Sequence, residues 1–244
     1  MPRSKYESIY KDLKEKIEEG EYPYQELLPS EHQLIQTYDC SRNTVRRALS
    51  NLVADGYIQT LPGKGVRNIY QAVEQASYTL GSIESFRESS LRNRRSGSTR
   101  VLQFMELTAD RKIASRTGFP EGAELYYVQR LHYLDLKPLI INHNYFLKSA
   151  VPGLTREIAE GSIYNYLEIT LHMTIVNSKR TVTVEKITQI DEKYLELNVD
   201  DYNCLAVITS QTYNSDGVMF EYTQSRHRPD YFRFQDNAVR RKSS

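Results

Sequence analysis

The 244 residues contain no tryptophan, two cysteines and no long apolar run. Cys40 and Cys204 form no CxxC pair, which excludes a disulfide framework and a standard zinc site and fits a reducing cytosol. The five histidines, His32, His132, His143, His172 and His227, have no metal-ligand spacing, so no metal site is expected. Met1 to Tyr6 lead straight into charged residues rather than a signal-peptide core. No segment reaches membrane-span length, and the expectation is a cytoplasmic protein without a membrane partner. Charge of one sign is also missing: the formal net charge is +1, so a nucleic-acid footprint must come from local clustering. Nor is there an H-E-x-x-H, a Ser-His-Asp phrase, a G-x-G-x-x-G unit or a P-loop; Gly63-Lys64-Gly65 lacks the Walker spacing. No catalytic residue and no cofactor are therefore expected. What remains, 39% hydrophobic and 26% charged residues over this length, describes a globular chain with room for two domains.

The first third holds the clearest pattern. Tyr6, Ile9, Tyr10, Leu13 and Ile17 recur at helical spacing before Gly20, predicting an amphipathic helix. Ser30 and Gln33 make a capping box for a short second helix buried through Leu34, Ile35 and Tyr38. A turn through Asp39 and Cys40 leads to Ser41, an N-cap for a third helix. There Val45, Ala48, Leu49 and Leu52 form the apolar stripe, and Asn43, Arg46, Arg47 and Ser50 fall opposite, with Arg42 in the first exposed turn. Arginine can donate two bonds to guanine and asparagine can pair adenine on two atoms, while the Thr44 hydroxyl and free N–H groups suit phosphate. Residues 57–60 and 66–70 read as two strands around Leu61-Pro62-Gly63-Lys64-Gly65, a glycine tip able to approach a backbone closely, with Lys64 and Arg67 supplying charge. The order is helix, helix-turn-helix, wing: a DNA-reading module over 1–70. Residues 71–79 are polar and weakly periodic, fitting a linker.

The second domain, 80–244, alternates. Strands are predicted at Val101 to Leu107, Leu125 to Tyr133, Leu139 to Phe146, Thr174 to Thr188 and Leu205 to Tyr213, with Asp216-Gly217 turning into Val218 to Thr223. Helical segments are predicted near 110–117 and 155–169. The α+β class follows, an antiparallel sheet with a few helices on one side. The run Arg92 to Ser98 reads as a mobile solvated loop or a DNA contact. Arg130 sits in an otherwise apolar strand and calls for an anion, either a local carboxylate or a phosphorylated ligand. Ser162 follows Gly161 at a helix start. Arg226, His227 and Arg228, after the last hairpin, would join Arg130 and Ser162 around such a ligand.

Leu28-Pro29-Ser30-Glu31, Ser41 to Leu49 and Asp55-Gly56-Tyr57-Ile58 resemble the GntR family of bacterial transcription regulators. That resemblance implies operator contacts from Arg42, Thr44 and Arg46, with Ser41 and Asn43 beside them and Gly63, Lys64 and Gly65 at the wing tip. His32 stands where several relatives carry a phosphate-touching arginine and reads as a solvated histidine. Ser82 to Phe86, Tyr127 to Arg130, Asn144 to Phe146, Gly161 to Tyr166 and Glu221 to Phe234 resemble the effector domain of the HutC subfamily, which has a chorismate-lyase-like fold. By the same resemblance Ser85, Arg130 and Ser162 meet a phosphate, while Asn142, Tyr164, Glu221 and His227 face a sugar. His132 replaces a second family arginine and could donate when protonated. The resemblance implies a homodimeric repressor on double-stranded operator DNA, released by a sugar phosphate, trehalose 6-phosphate first and one such as glucosamine 6-phosphate next.

Overall fold

The computed structural model describes residues 4–71, 78–79, 83–92, 95–198 and 200–235. Most of the expected linker, together with Ser82, Asn93 and Arg94, lies outside the described residues. The chain divides into two compact units, one built on residues 1–75 and one on residues 76–234.

In the first unit α1 (Lys5–Glu18), α2 (Glu31–Tyr38) and α3 (Arg42–Ala54) enclose one core around Leu13, Leu34, Val45, Ala48 and Leu52. Leu13, Val45 and Leu52 are 0% exposed, and burying side chains of this size contributes roughly 1.5–3 kcal/mol each. Local chemistry sets the boundaries. The Ser30 hydroxyl accepts from the Gln33 N–H at 3.3 Å and the Gln33 amide oxygen accepts from the Ser30 N–H at 2.8 Å. Asp39 ends α2 in the left-handed region, φ 44°, and Ser41 caps α3 by accepting from the Thr44 N–H at 3.2 Å. With no tryptophan to do so, tyrosines tie the helices together: Tyr38 donates to Asp12, Tyr10 to Asp55 and Tyr57 to Glu18. β1 (Ile58–Leu61) and β2 (Gly65–Asn68) form the wing. The segment before α2 adds an unexpected antiparallel bridge at Leu27 to this two-stranded wing, Leu28 donating to Val66 and Asn68 to Glu26, both at 2.8 Å. Arg67, opposite Leu27 in this pairing, is half-buried, while Lys64 is exposed.

The second unit is a six-stranded antiparallel sheet in the order β4 (Gly97–Thr108), β5 (Glu124–Leu134), β6 (Lys137–Leu147), β9 (Met219–His227), β8 (Cys204–Asn214), β7 (Ile175–Lys186). The two-residue strands β3 (Tyr78–Thr79) and β10 (Phe234–Gln235) pair with each other. Helices cover both faces, not one side as expected, because the inner strands are apolar on both. Leu131, Ile141 and Val207 pack on Leu195 of α8 (Gln189–Leu195), and Leu125, Tyr145 and Tyr222 pack beside α5 (Arg111–Thr117). Val128, Phe146 and Phe220, on the other face, meet Ala159 of α6 (Arg156–Glu160), Ile163 of α7 (Ile163–Asn165) and Leu167.

Two other expectations change. The predicted helix over 155–169 is broken: α6 stops at Gly161, Ser162 caps α7 by accepting from the Asn165 N–H, and Tyr166–Thr170 continue as a π-helical turn. The basic run at 92–98 is no solvated loop where it is described. Ser96 donates to Asp135 at 3.1 Å, Arg95 pairs with the same carboxylate at 2.5 Å, and Gly97 opens β4. A Cβ on Gly97 would lie 2.4 Å from the Ser90 hydroxyl, so the run is closely packed there. α4 (Phe86–Arg92) and α8 were not anticipated, although both start on capping pairs, Ser85 with Glu88 and Thr188 with Asp191.

Arg226 also departs from expectation. It lies within β9 and points to the α8 face, donating to both oxygens of the fully buried Asp191 at 2.8 and 2.9 Å and to Glu185 at 2.5 Å. Arg228 pairs with Asp230 and the Leu195 carbonyl. Neither guanidinium is available to a ligand on the opposite face. Removing one partner of such a buried pair costs about 3–5 kcal/mol, since the other charge is left uncompensated. Arg226→Ala is expected to lower the urea midpoint by that equivalent, and Arg226→Met with Asp191→Leu to recover most of it; an unchanged midpoint for the single variant would refute this assignment.

Candidate functional site

The exposed face of α3 presents Arg42, Asn43, Arg46 and Arg47, while its opposite stripe is anchored in the core. Ser41 and Thr44 hydroxyls lie 2.8 Å apart at the helix start. Arg46 donates through Nε to both oxygens of Glu31 at 3.1 and 3.2 Å. Arg47 stacks on the Tyr6 ring of α1, 3.8 Å from its centroid, so it is engaged within the unit rather than projecting freely. At the wing, Gly63 and Gly65 hold φ 72° and 107°, left-handed conformations that other residues rarely adopt, with Lys64 exposed between them. His32 is exposed and lies 3.2 Å from the Gln36 amide.

The second site is a cavity of about 180 Å³ on one face of the large sheet, far above the ~10–15 Å³ that a single water needs. Antiparallel register builds its floor in rows. Arg130, Asn142, Ser225 and Ile208 are successive partners across four strands; Asn144, Thr223, Ser210 and Arg180 make the next row. Ser85 leads into α4, and Ser162 and Tyr164 come from the start of α7. Ser85, Arg130, His132, Asn142, Ser162, Tyr164, Glu221 and His227, the residues nominated from the sequence, all line this one cavity. Arg180, Thr212, Thr223 and Ser225 line it too and were not nominated. The signal was present: Glu221, Thr223, Ser225 and His227 are a period-two polar run in a strand buried on both faces.

A hydrogen-bonded chain holds the polar floor. Arg130 Nε donates to the Asn144 carbonyl oxygen at 3.1 Å, and Asn144 donates to Glu221 at 3.0 Å. Glu221 also accepts from Thr223 at 2.7 Å and from Tyr164 at 2.8 Å. Burial lowers the Arg130 pKa and the Glu221 carboxylate opposes that shift; a guanidinium remains charged at neutral pH regardless. Burial, and then the Glu221 charge, raises the Tyr164 phenol. His132 bridges Thr99 at 2.9 Å and Asn142 at 3.0 Å and lies against Phe86. Burial, with the Arg130 charge adding to it, holds its pKa well below the ordinary histidine value. The protonated, donating His132 that would replace a family arginine is therefore not the form present at neutral pH. Burial likewise takes His227 down to about 3. The charged groups lining the cavity are Arg87, Arg130 and Arg180 against Glu84 and Glu221, with Glu221 the buried carboxylate, so positive charge is in excess by one. Such a site favours an anion. The side-chain oxygen of Asn142 is buried without a partner among the described residues, leaving one more polar group for a ligand.

Among the described residues no helix is long and apolar enough to cross a membrane, and no His, Cys, Asp and Glu cluster could hold a metal. Residues 5–67 match the model of bacterial regulatory proteins of the gntR family, and residues 92–233 match the UTRA domain. The HTH-type transcriptional regulator TreR of Bacillus subtilis is 34% identical over 242 residues, 99% of this chain and 100% of that protein. The solved effector-binding domain of the B. subtilis trehalose repressor, TreR, is 32% identical with a TM-score of 0.52, covering 59% of this chain and 99% of that one. The possible transcriptional regulator YydK of B. subtilis superposes with a TM-score of 0.81 over 97% of this chain and 100% of that one; at 22% identity this shows the fold alone.

The buried histidines generate a pH dependence. A group whose folded pKa is depressed binds fewer protons than in the unfolded chain, so stability falls as pH drops below its unfolded value, about 6.5 for histidine. For His227 that loss runs down to about pH 3. Replacing His227 by Gln is expected to flatten the fall of unfolding free energy between pH 6.5 and 5 by up to about 1.4 kcal/mol per pH unit. Urea titrations at both pH values check this, and parallel slopes for variant and parent would contradict it.

Proposed function

The chain belongs to the GntR family of bacterial regulatory proteins, with a UTRA domain of the HutC type, and we propose that it represses a sugar-utilisation operon. In this reading residues 1–70 bind operator DNA, 71–79 link, and 80–244 bind effector and dimerise. Family membership makes it a transcription regulator rather than an enzyme. As a homodimer it would place two α3 helices on an inverted repeat. Arg42, Thr44 and Arg46 read or clamp the groove, Ser41 and Asn43 lie beside them, and Gly63, Lys64 and Gly65 meet the backbone. Arg47, stacked on Tyr6, adds charge rather than base reading.

The effector proposed is a sugar phosphate, first of all trehalose 6-phosphate. The observation that carries this is a cavity whose inward guanidiniums outweigh its one buried carboxylate, beside an amide end with no partner. Arg130, Ser85 and Ser162 take the phosphate; Asn142, Tyr164, Glu221 and His227 take hydroxyls, with His132 holding Asn142 in place. Full-length similarity to TreR and the match to the trehalose repressor's effector domain support the trehalose assignment. The rival glucosamine 6-phosphate brings an ammonium group. Its natural partner would be Glu221, which already accepts from Asn144, Thr223 and Tyr164. A neutral hydroxyl suits the remaining capacity better. Effector and DNA affinities are then reciprocally coupled.

In gel shifts on the chain's upstream region, Arg42→Ala and Arg46→Ala should each weaken sequence-specific binding by about 1–3 kcal/mol, and added salt should weaken it steeply. Binding that survives the double variant would remove α3 as the reading helix. Calorimetry should rank trehalose 6-phosphate above glucosamine 6-phosphate and above unphosphorylated trehalose. Arg130→Ala should lose more affinity than His132→Ala, and the reverse order would displace the phosphate anchor.

A further inference from the structure

We infer that Glu31 is a specificity-determining residue that positions Arg46 for base reading, although it is itself an acid on a surface that meets polyanionic DNA. This rests on the reading of α3 as the DNA-reading helix and adds to it a residue on a different helix.

The geometry is specific. Arg46 Nε donates to both Glu31 oxygens, at 3.1 and 3.2 Å, across from α3 to the first turn of α2. Its two terminal nitrogens donate to nothing among the described residues. The guanidinium is planar by resonance, and anchoring by Nε holds the orientation of its outer pair of nitrogens, the pair that matches guanine O6 and N7. The Glu31 backbone is fixed independently, since Ser30 and Gln33 cap the same turn reciprocally. The pair is therefore a strut from a rigid helix start to the tip of a long, rotamer-rich side chain.

Stability does not account for the pair. The side chains are 59% and 38% exposed, and exposed ion pairs contribute little, about 0–1 kcal/mol. For DNA affinity alone a carboxylate here is a loss, because it repels phosphate and neutralises a cation that would otherwise attract it. A residue that weakens general attraction while fixing the geometry of one base contact raises the ratio of specific to non-specific binding. Preorganisation also removes the rotamer entropy that an untethered arginine loses on docking.

The opposite signs give the test. Full-length chain is used to select duplexes from a randomised pool, and the enriched duplex and a scrambled one are then titrated with the parent and with Glu31→Gln. The variant should bind the scrambled duplex as well as or better than the parent, while its preference for the enriched duplex falls about tenfold, within the range of one lost bidentate contact. The fall should vanish when Arg46→Ala is already present, because Glu31 acts through Arg46. Glu31→Asp, which keeps the charge but shortens the reach, should recover only part of the preference. If the parent enriches no sequence, the reading of α3 fails. If the parent enriches one and Glu31→Gln prefers it equally, or loses preference equally in the Arg46→Ala background, the role of Glu31 is overturned and that of α3 stands. Urea unfolding of Glu31→Gln, expected to keep a midpoint close to the parent's, separates lost preference from lost fold.

Discussion

The cavity depends on one buried carboxylate held by three of its neighbours. Glu221 is 3% exposed and accepts from β6 through Asn144, from its own strand through Thr223 and from α7 through Tyr164. Through Asn144 the chain continues to Arg130 in β5. Four elements are thereby pinned by groups that are costly to bury unpaired, and low local dielectric strengthens each bond that is made. The floor is consequently rigid before a ligand arrives. Its guanidinium is presented at a fixed place on the wall rather than free to fold back on itself.

The same strand holds the opposite face. Ser225 and His227 line the cavity while Arg226, between them, is locked to Asp191 of α8. Side chains alternate with period two, so a one-residue slip of β9 would send Arg226 into the cavity and Ser225 into the apolar layer under α8. The Arg226–Asp191 pair and the Glu221 network therefore specify a single register from both sides. This explains how a strand can be polar at so many positions and still sit in the middle of the sheet, between β6 and β8.

What could be read from the chain follows from which forces are local. Ser30, Gln33 and Ser41 act on their own helix turns, and the stripe Val45, Ala48, Leu49, Leu52 is a matter of spacing, so the first unit was legible almost to the residue. Strand positions were legible because alternation is local as well. What alternation hides is the face: Arg130 and Arg226 look alike in sequence, yet one faces a cavity and the other a helix. α8 was missed although Thr188 and Asp191 mark its start, because a helix of seven residues offers too few periodic positions to stand out between two strands. The bridge from Leu27 to the wing was missed for a different reason. Its pairing joins residues 26–28 to 66–68, a contact no local pattern encodes. The nominated cavity residues came together through resemblance, whereas Arg180 and the hydroxyl rows needed the register.

The two sites use arginine in the same way in opposite surroundings. Arg46 lies at the surface and Arg130 within the sheet, yet each is tethered through Nε, one to a carboxylate and one to an amide oxygen. Among the described residues neither guanidinium's outer nitrogens make a hydrogen bond. The choice of tether follows from the medium. At the surface a charged tether is cheap to solvate and lowers unwanted attraction to phosphate. In the cavity a second full charge directly on Arg130 would cancel the field that draws an anion, so the carboxylate is set one residue away, behind Asn144. The neutral His132 and His227 respect the same constraint, because a protonated ring there would add to the cost of burying Arg130. In the proposed reading, selectivity at each site comes from how the guanidinium is held, more than from how much positive charge surrounds it.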